Sequence, residues 1–140
     1  MTKDYFEAAE AEQDLLAGRI EDALQRAEQV ATTSRQAGFM ASLAVAERVW
    51  GCALARLGAS PTEVDAHLRA GVEVGNTTGL IMDAVWTELA WGQLCLRRGN
   101  RGEAEWHFQL VQDRMTDKMP AYARQEILRR ISCQMADSSS

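Results

Sequence analysis

The chain reads as all-α, built of three helix-turn-helix repeats and a C-terminal capping helix. The first observation behind this is a doubled stretch. Val49-Trp50-Gly51-Cys52-Ala53-Leu54-Ala55-Arg56-Leu57-Gly58 returns further on as Ala90-Trp91-Gly92-Gln93-Leu94-Cys95-Leu96-Arg97-Arg98-Gly99, with Glu47 matching Glu88 upstream. A fixed period of this length, within the range of the known helical repeats, marks a repeat architecture. The second is apolar spacing of three and four along most of the chain, with no sustained alternation of the kind strands show. The third is composition. There are only two prolines, and Ala, Leu, Glu, Arg and Gln outnumber β-branched residues, which favours helix.

Residues 4–17 predict a first helix through Tyr5, Ala8, Ala9, Leu15 and Leu16, ended by Gly18. Its acidic start suits the helix dipole. Residues 19–36 form the clearest amphipathic helix. Ile20, Ala23, Leu24, Ala27, Val30 and Ala31 lie on one face, and Gly38 closes the unit. Residues 39–57 are apolar on more than one side, so this helix is expected to pack against several neighbours. Ser60-Pro61-Thr62-Glu63 then has the form of a helix start: a capping hydroxyl, a proline at the first helical position and a glutamate three residues after the cap. That fourth helix is expected to run to about Val74, with Gly75-Asn76-Thr77-Thr78-Gly79 as a turn. The stretch is not a phosphate loop, because no GxxxxGK[ST] pattern is present.

Residues 80–98 predict a fifth helix, again apolar on several sides. Asn100 is placed to cap a sixth, with Glu103 three residues on and Ala104, Phe108, Val111 and Met115 as its stripe. Pro120 opens a seventh, running through about Met135. The expected organisation is one domain over residues 1–136 and a disordered tail over 137–140, a size that fits one core.

Gly18, Gly58 and Gly99 recur at a near-constant interval and close the first helix of each pair. Gly51 and Gly92 sit two turns earlier, inside those helices. An interior glycine costs about 1 kcal/mol relative to alanine, so close approach of the partner helix is expected there. Ala23, Ala66 and Ala104 are the expected small residues opposite.

This spacing resembles tetratricopeptide repeats. The third pair carries the match in Gly92, Gly99, Ala104, Phe108 and Val111. The second carries it in Gly51, Gly58, Ala66 and Ala70 after a short insertion, and the first in Ala11, Gly18, Ala23, Ala27 and Val30. The pattern departs from the family in its period, which is longer than that of the standard repeat. Glu7, Glu47 and Glu88 also stand where the family often has an aromatic, and its terminal proline is missing. Long repeats of this kind are similar to those in bacterial maltose-regulon-activator-like regulators and in large nucleotide cyclases with an ATPase module. The resemblance covers about residues 4–118. It implies a right-handed α-solenoid whose first helices line a groove through Tyr5, Glu12, Leu16, Arg48, Cys52, Ala55, Arg56, Leu89, Gln93, Leu96 and Arg97. Of these, Glu12, Arg48, Cys52, Arg56, Leu89, Gln93 and Arg97 are the expected partner-binding residues. Arg48, Arg56 and Arg97 are suited to clamp a carboxylate, because guanidinium pairs with it through two donors.

The remaining residues point away from chemistry. Cys52, Cys95 and Cys133 form no CxxC pair, so neither a disulfide framework nor a zinc site is indicated, and a reducing, cytoplasmic setting is expected. No signal peptide or membrane-spanning run is apparent. His67 and His107 lie one repeat apart without the local ligand spacing that zinc needs, and read as structural. Trp50 and Trp91, in register, read as core, whereas exposure of Trp86 or Trp106 would mark an interface. A net charge of −5 argues against nucleic acid. Charge is uneven: residues 1–28 carry three cations against eight anions, and residues 97–140 eight against six. This leaves room for head-to-tail contact between copies.

The expectation is therefore a non-catalytic module without cofactor or metal that binds a protein or peptide. It would be a regulatory or scaffold piece of a bacterial signalling protein, and the weak first helix suggests a fragment of a longer chain. The rivals are a structural homo-oligomer, such as a homodimer, and a small-ligand sensor.

Overall fold

The structure, a computed structural model, describes residues 3–115 and 119–138. All regular elements among them are helical: α1 Lys3–Leu16, α2 Ile20–Ala37, α3 Met40–Arg56, α4 Pro61–Thr78, α5 Ile81–Arg97, α6 Arg101–Arg114 and α7 Ala121–Ser138. None is long and apolar enough to cross a membrane. The chain divides into two compact units, Met1–Thr87 and Glu88–Ser140, with the division inside α5.

The expected stop signals act as stops. Gly18, Gly58 and Gly99 follow α1, α3 and α5 with φ of +83°, +83° and +80°, a conformation in which a Cβ is strained. Ser60 Oγ accepts the Glu63 N–H at 3.3 Å, with Pro61 at the first helical position, and Asn100 Oδ1 accepts the Glu103 N–H at 3.2 Å. Each cap satisfies one of the amide donors a helix start leaves orphaned.

The expected turn at Gly75-Asn76-Thr77-Thr78 is instead the last turn of α4, which Gly79 closes. Gly75 is there for space. A Cβ on it would lie 2.9 Å from the Ala84 side chain. Thr77 and Thr78 return their hydroxyls to carbonyls one turn back, Thr77 to Glu73 and Thr78 to Val74, so these polar residues are compatible with helix. The expected tail also starts late. Asp137 and Ser138 belong to α7, and residues 139 and 140 lie outside the described residues.

In the first unit α1 packs on α2 and α3, α2 on α3, and α3 on α4. Ala8, Val30, Ala31, Leu43 and Ala46 form one buried cluster, and Ala11, Ala23, Ala27 and Val49 another. In the second unit Leu89, Leu94, Cys95, Ala104, Phe108, Val111 and Ile127 are buried, and α6 touches α7.

The interior glycines mark close helix approach, but their partners are large. A Cβ on Gly51 would sit 2.9 Å from Leu68, and one on Gly92 would overlap the Phe108 ring. Ala66, one of the expected small partners, is exposed. The notch left by each glycine is filled by a bulky side chain from the following helix. In the first unit's opening pair the equivalent positions are Ala11 and Ala27, both fully buried in one cluster. The opening pair therefore makes this contact with two small residues instead of a glycine and a bulky side chain.

Gly92→Ala should therefore cost stability, despite helix propensity favouring alanine by about 1 kcal/mol. Overpacking against a buried ring costs about 1–3 kcal/mol. Combining it with Phe108→Leu should lose less than the two single changes summed. Gly102→Ala in α6, where a Cβ meets nothing within 4 Å, should stabilise by about 0.5–1 kcal/mol. Urea titration of the four variants checks this, and additive losses in the double variant would refute the notch.

Candidate functional site

The first-unit residues expected to line a groove are mostly taken up. Arg48 is only 12% exposed. Its guanidinium holds Glu12 at 2.8 Å and Asp83 at 3.6 Å, and donates to the Asp83 carbonyl and Thr87 Oγ1, each at 3.4 Å. It ties α1 and α3 to the first turns of α5 and has no vacant fork for a ligand carboxylate. That corrects its assignment as a clamp, and Glu12 is spent on the same contact. Burial pushes the Asp83 carboxyl above its usual range, against the pull of Arg48. Cys52 is half-buried, and Arg56 is exposed without an ion pair among the described residues.

The second unit treats its three differently. Leu89 is 1% exposed and belongs to the core, so it contacts no partner. An α-helix that packs on several sides hides residues which a one-sided reading places outward. Gln93 and Arg97 line a recess of about 270 Å³ together with Leu96, and with Gln134 and Asp137 from α7. Arg97 is exposed and in no ion pair among the described residues. The Gln134 Oε1 atom is buried without a hydrogen-bond partner. On α7, Arg129 and Arg130 are engaged: both hold Glu126, whose hydrogen bonds with them pull its carboxyl down to about 2.

A feature not foreseen from sequence occurs once in each unit. His67 Nδ1 is 2.8 Å from Glu47 Oε2, and its ring stacks on Trp50 with centroids 4.0 Å apart. His107 Nδ1 is 2.6 Å from Glu88 Oε1, and its ring stacks on Trp91 at 4.3 Å. A carboxylate only accepts, so Nδ1 carries the proton in both. Glu and Trp are one helical turn apart, on α3 or α5, and the His comes from the next helix. The doubled Glu47/Glu88 and Trp50/Trp91 were the visible signal, and the one-repeat interval of the histidines was the other half. The first pair replaces this arrangement by charge. Arg26 stands at the His position, 2.7 Å from Glu10 at the Trp position and 3.3 Å from Asp14. Burial raises the Asp14 carboxyl, but hydrogen bonds from Arg19 and Arg26 outweigh it and leave the group below its ordinary value.

These clasps hold neighbouring helices together. Among the described residues no group of three or more His, Cys, Asp or Glu is placed to hold a metal ion. Trp50 and Trp86 are half-buried and Trp91 is buried, but Trp106 is 60% exposed. Its ring meets His107 edge-on at 4.9 Å.

The two clasps differ in burial, and that sets their cost of removal. The side chain of His107 is 4% exposed and that of His67 21%. Glu47 also receives Arg35 at 2.8 Å. His107→Ala should cost about 3 kcal/mol, because it strands a buried carboxylate. His67→Ala should cost about 1–2 kcal/mol. Equal losses in urea titration would contradict this. The two aspartates carry opposite pH signatures. Asp14, depressed in the fold, stabilises above its unfolded value, and that contribution disappears as pH falls below about 4. Asp83, raised in the fold, works the other way, so acid relieves its cost. Asp14→Asn should therefore flatten the acid loss of stability and Asp83→Asn should steepen it, as read from unfolding midpoints at neutral pH and below about pH 4.

No known family model matches the chain, and no curated protein or solved structure matches it either.

Proposed function

We propose that the chain is a non-catalytic peptide-binding module of tetratricopeptide-like helix pairs, and that the recess between α5 and α7 takes the carboxylate of a partner's chain. The observation that carries this reading is the recess itself. It is lined by Arg97, in no ion pair among the described residues, by Gln134, whose Oε1 is buried without a hydrogen-bond partner, and by the apolar Leu96. A carboxylate satisfies the arginine. An N–H donor satisfies the glutamine, which otherwise bears a desolvation cost of about 1–3 kcal/mol. A peptide end offers both groups within one residue, with an apolar side chain for Leu96.

Size supports a peptide over an enclosed metabolite. The recess, about 270 Å³ and open, is below the range of about 300–1,000 Å³ in which small-molecule pockets fall. The helical clasps supply the rigid support such a site needs. The setting we propose for it is a regulatory or scaffold role in a signalling protein.

Selection from a peptide library with unblocked C-termini should enrich binders whose affinity falls about tenfold or more on amidation, as expected when a charge-assisted pair is lost. Arg97→Glu should abolish binding, and Arg56→Glu, in the other unit, should leave it intact. No enrichment, or equal sensitivity to both substitutions, would sink the proposal.

A further inference from the structure

Trp106 is the largest side chain left in solvent by α6, and one ring contact supports it. The indole is 60% exposed, yet its ring meets His107 edge-on. His107 is itself held by Glu88 and stacked on Trp91. An exposed aromatic set in this way loses little side-chain entropy on binding. Helical side chains lean toward the N-terminal turn. The turn beneath Trp106 carries Gly102, where a Cβ would find nothing within 4 Å, so the approach to the ring is open.

Two carboxylates share the face of the ring. Glu103, Trp106, Leu110 and Asp113 fall on one face by their spacing of three, four and three. Glu103 and Asp113 are exposed, and neither has an ion pair among the described residues. Glu103 receives only the Cys95 thiol, at 3.7 Å, and Asp113 the Gln109 amide, at 2.9 Å. Arg101 is turned to Glu105 and to the Met135 carbonyl, and Arg114 is half-buried and already engaged.

We infer that this face of α6 is a docking strip for a basic segment of a partner protein, with an arginine laid over Trp106 between the Glu103 and Asp113 carboxylates. Indole is the strongest aromatic partner for a cation. A planar guanidinium stacks on it while its edge donors reach a carboxylate, which an ammonium does less well. The strip is separate from the Arg97 recess in residues and in charge, so neither depends on the other.

Titration calorimetry of the full chain with a decapeptide of alternating arginine and glycine tests this, with the lysine counterpart as comparison. The arginine peptide should bind more tightly, and added salt should weaken it. Trp106→Ala and Glu103→Lys should each reduce affinity about fivefold or more, and Trp106→Tyr should retain part of it. Circular dichroism should stay unchanged, because Trp106 is exposed. Equal affinity of Trp106→Ala and the parent chain would overturn the proposal, since the net charge alone would then attract the peptide. Absence of binding would overturn it too. Self-association that Trp106→Ala abolishes would assign the strip to a second copy of the chain instead.

Discussion

Each helix pair depends on the filling of one contact where the two backbones come closest. In the second and third pairs glycine on the first helix lets Leu68 or Phe108 reach across. In the opening pair Ala11 and Ala27 share that space. Interiors pack at near-crystalline density, so a side chain as large as Leu68 or Phe108 fits at such a point only where the facing residue is glycine. Once the contact is set, the residues just before and one turn before Gly51 or Gly92 align with the following helix. Trp50 and Trp91 then meet imidazole rings, and Glu47 and Glu88 meet the protons of those rings.

The glutamates have no apolar character, yet they are buried at the centre of each clasp. A buried carboxylate is expensive unless its oxygens are met by donors. Here a ring N–H meets it, with a guanidinium added at Glu47. The arrangement makes the helix pairs specific, because a slip by one residue would strand a charge in the core. It also holds His107, and through it supports Trp106 at the surface. Core chemistry and exposed chemistry are thus two sides of one ring.

Helix number and most helix ends were legible in the sequence because Gly, Pro, Ser and Asn act locally. Gly75 was misleading because two causes favour glycine, a reversal of the chain and a close neighbour, and only Ala84 across the contact distinguishes them. The carrying residues of the candidate site were half legible. Gln93, half-buried, and Arg97, exposed, are α5 residues that the resemblance pointed to, but the recess they line is completed by Gln134 and Asp137 from α7, which the resemblance does not cover. Arg48 looked like a clamp because one chain's spelling does not reveal that Glu12 and Asp83 already fill its fork. Glu47 and Glu88 read as departures from a family pattern, although they anchor the clasps.

The opening pair uses Glu10, Arg26 and the buried Asp14 where its successors use aromatic rings and glutamates. Glu10 is 61% exposed, within reach of dissolved ions. Charge pairs at such a surface weaken as ionic strength rises, whereas stacked and buried contacts barely respond. Within the opening pair, the Glu10–Arg26 contact is therefore the one that brine loosens first, ahead of the Asp14 contact beside it.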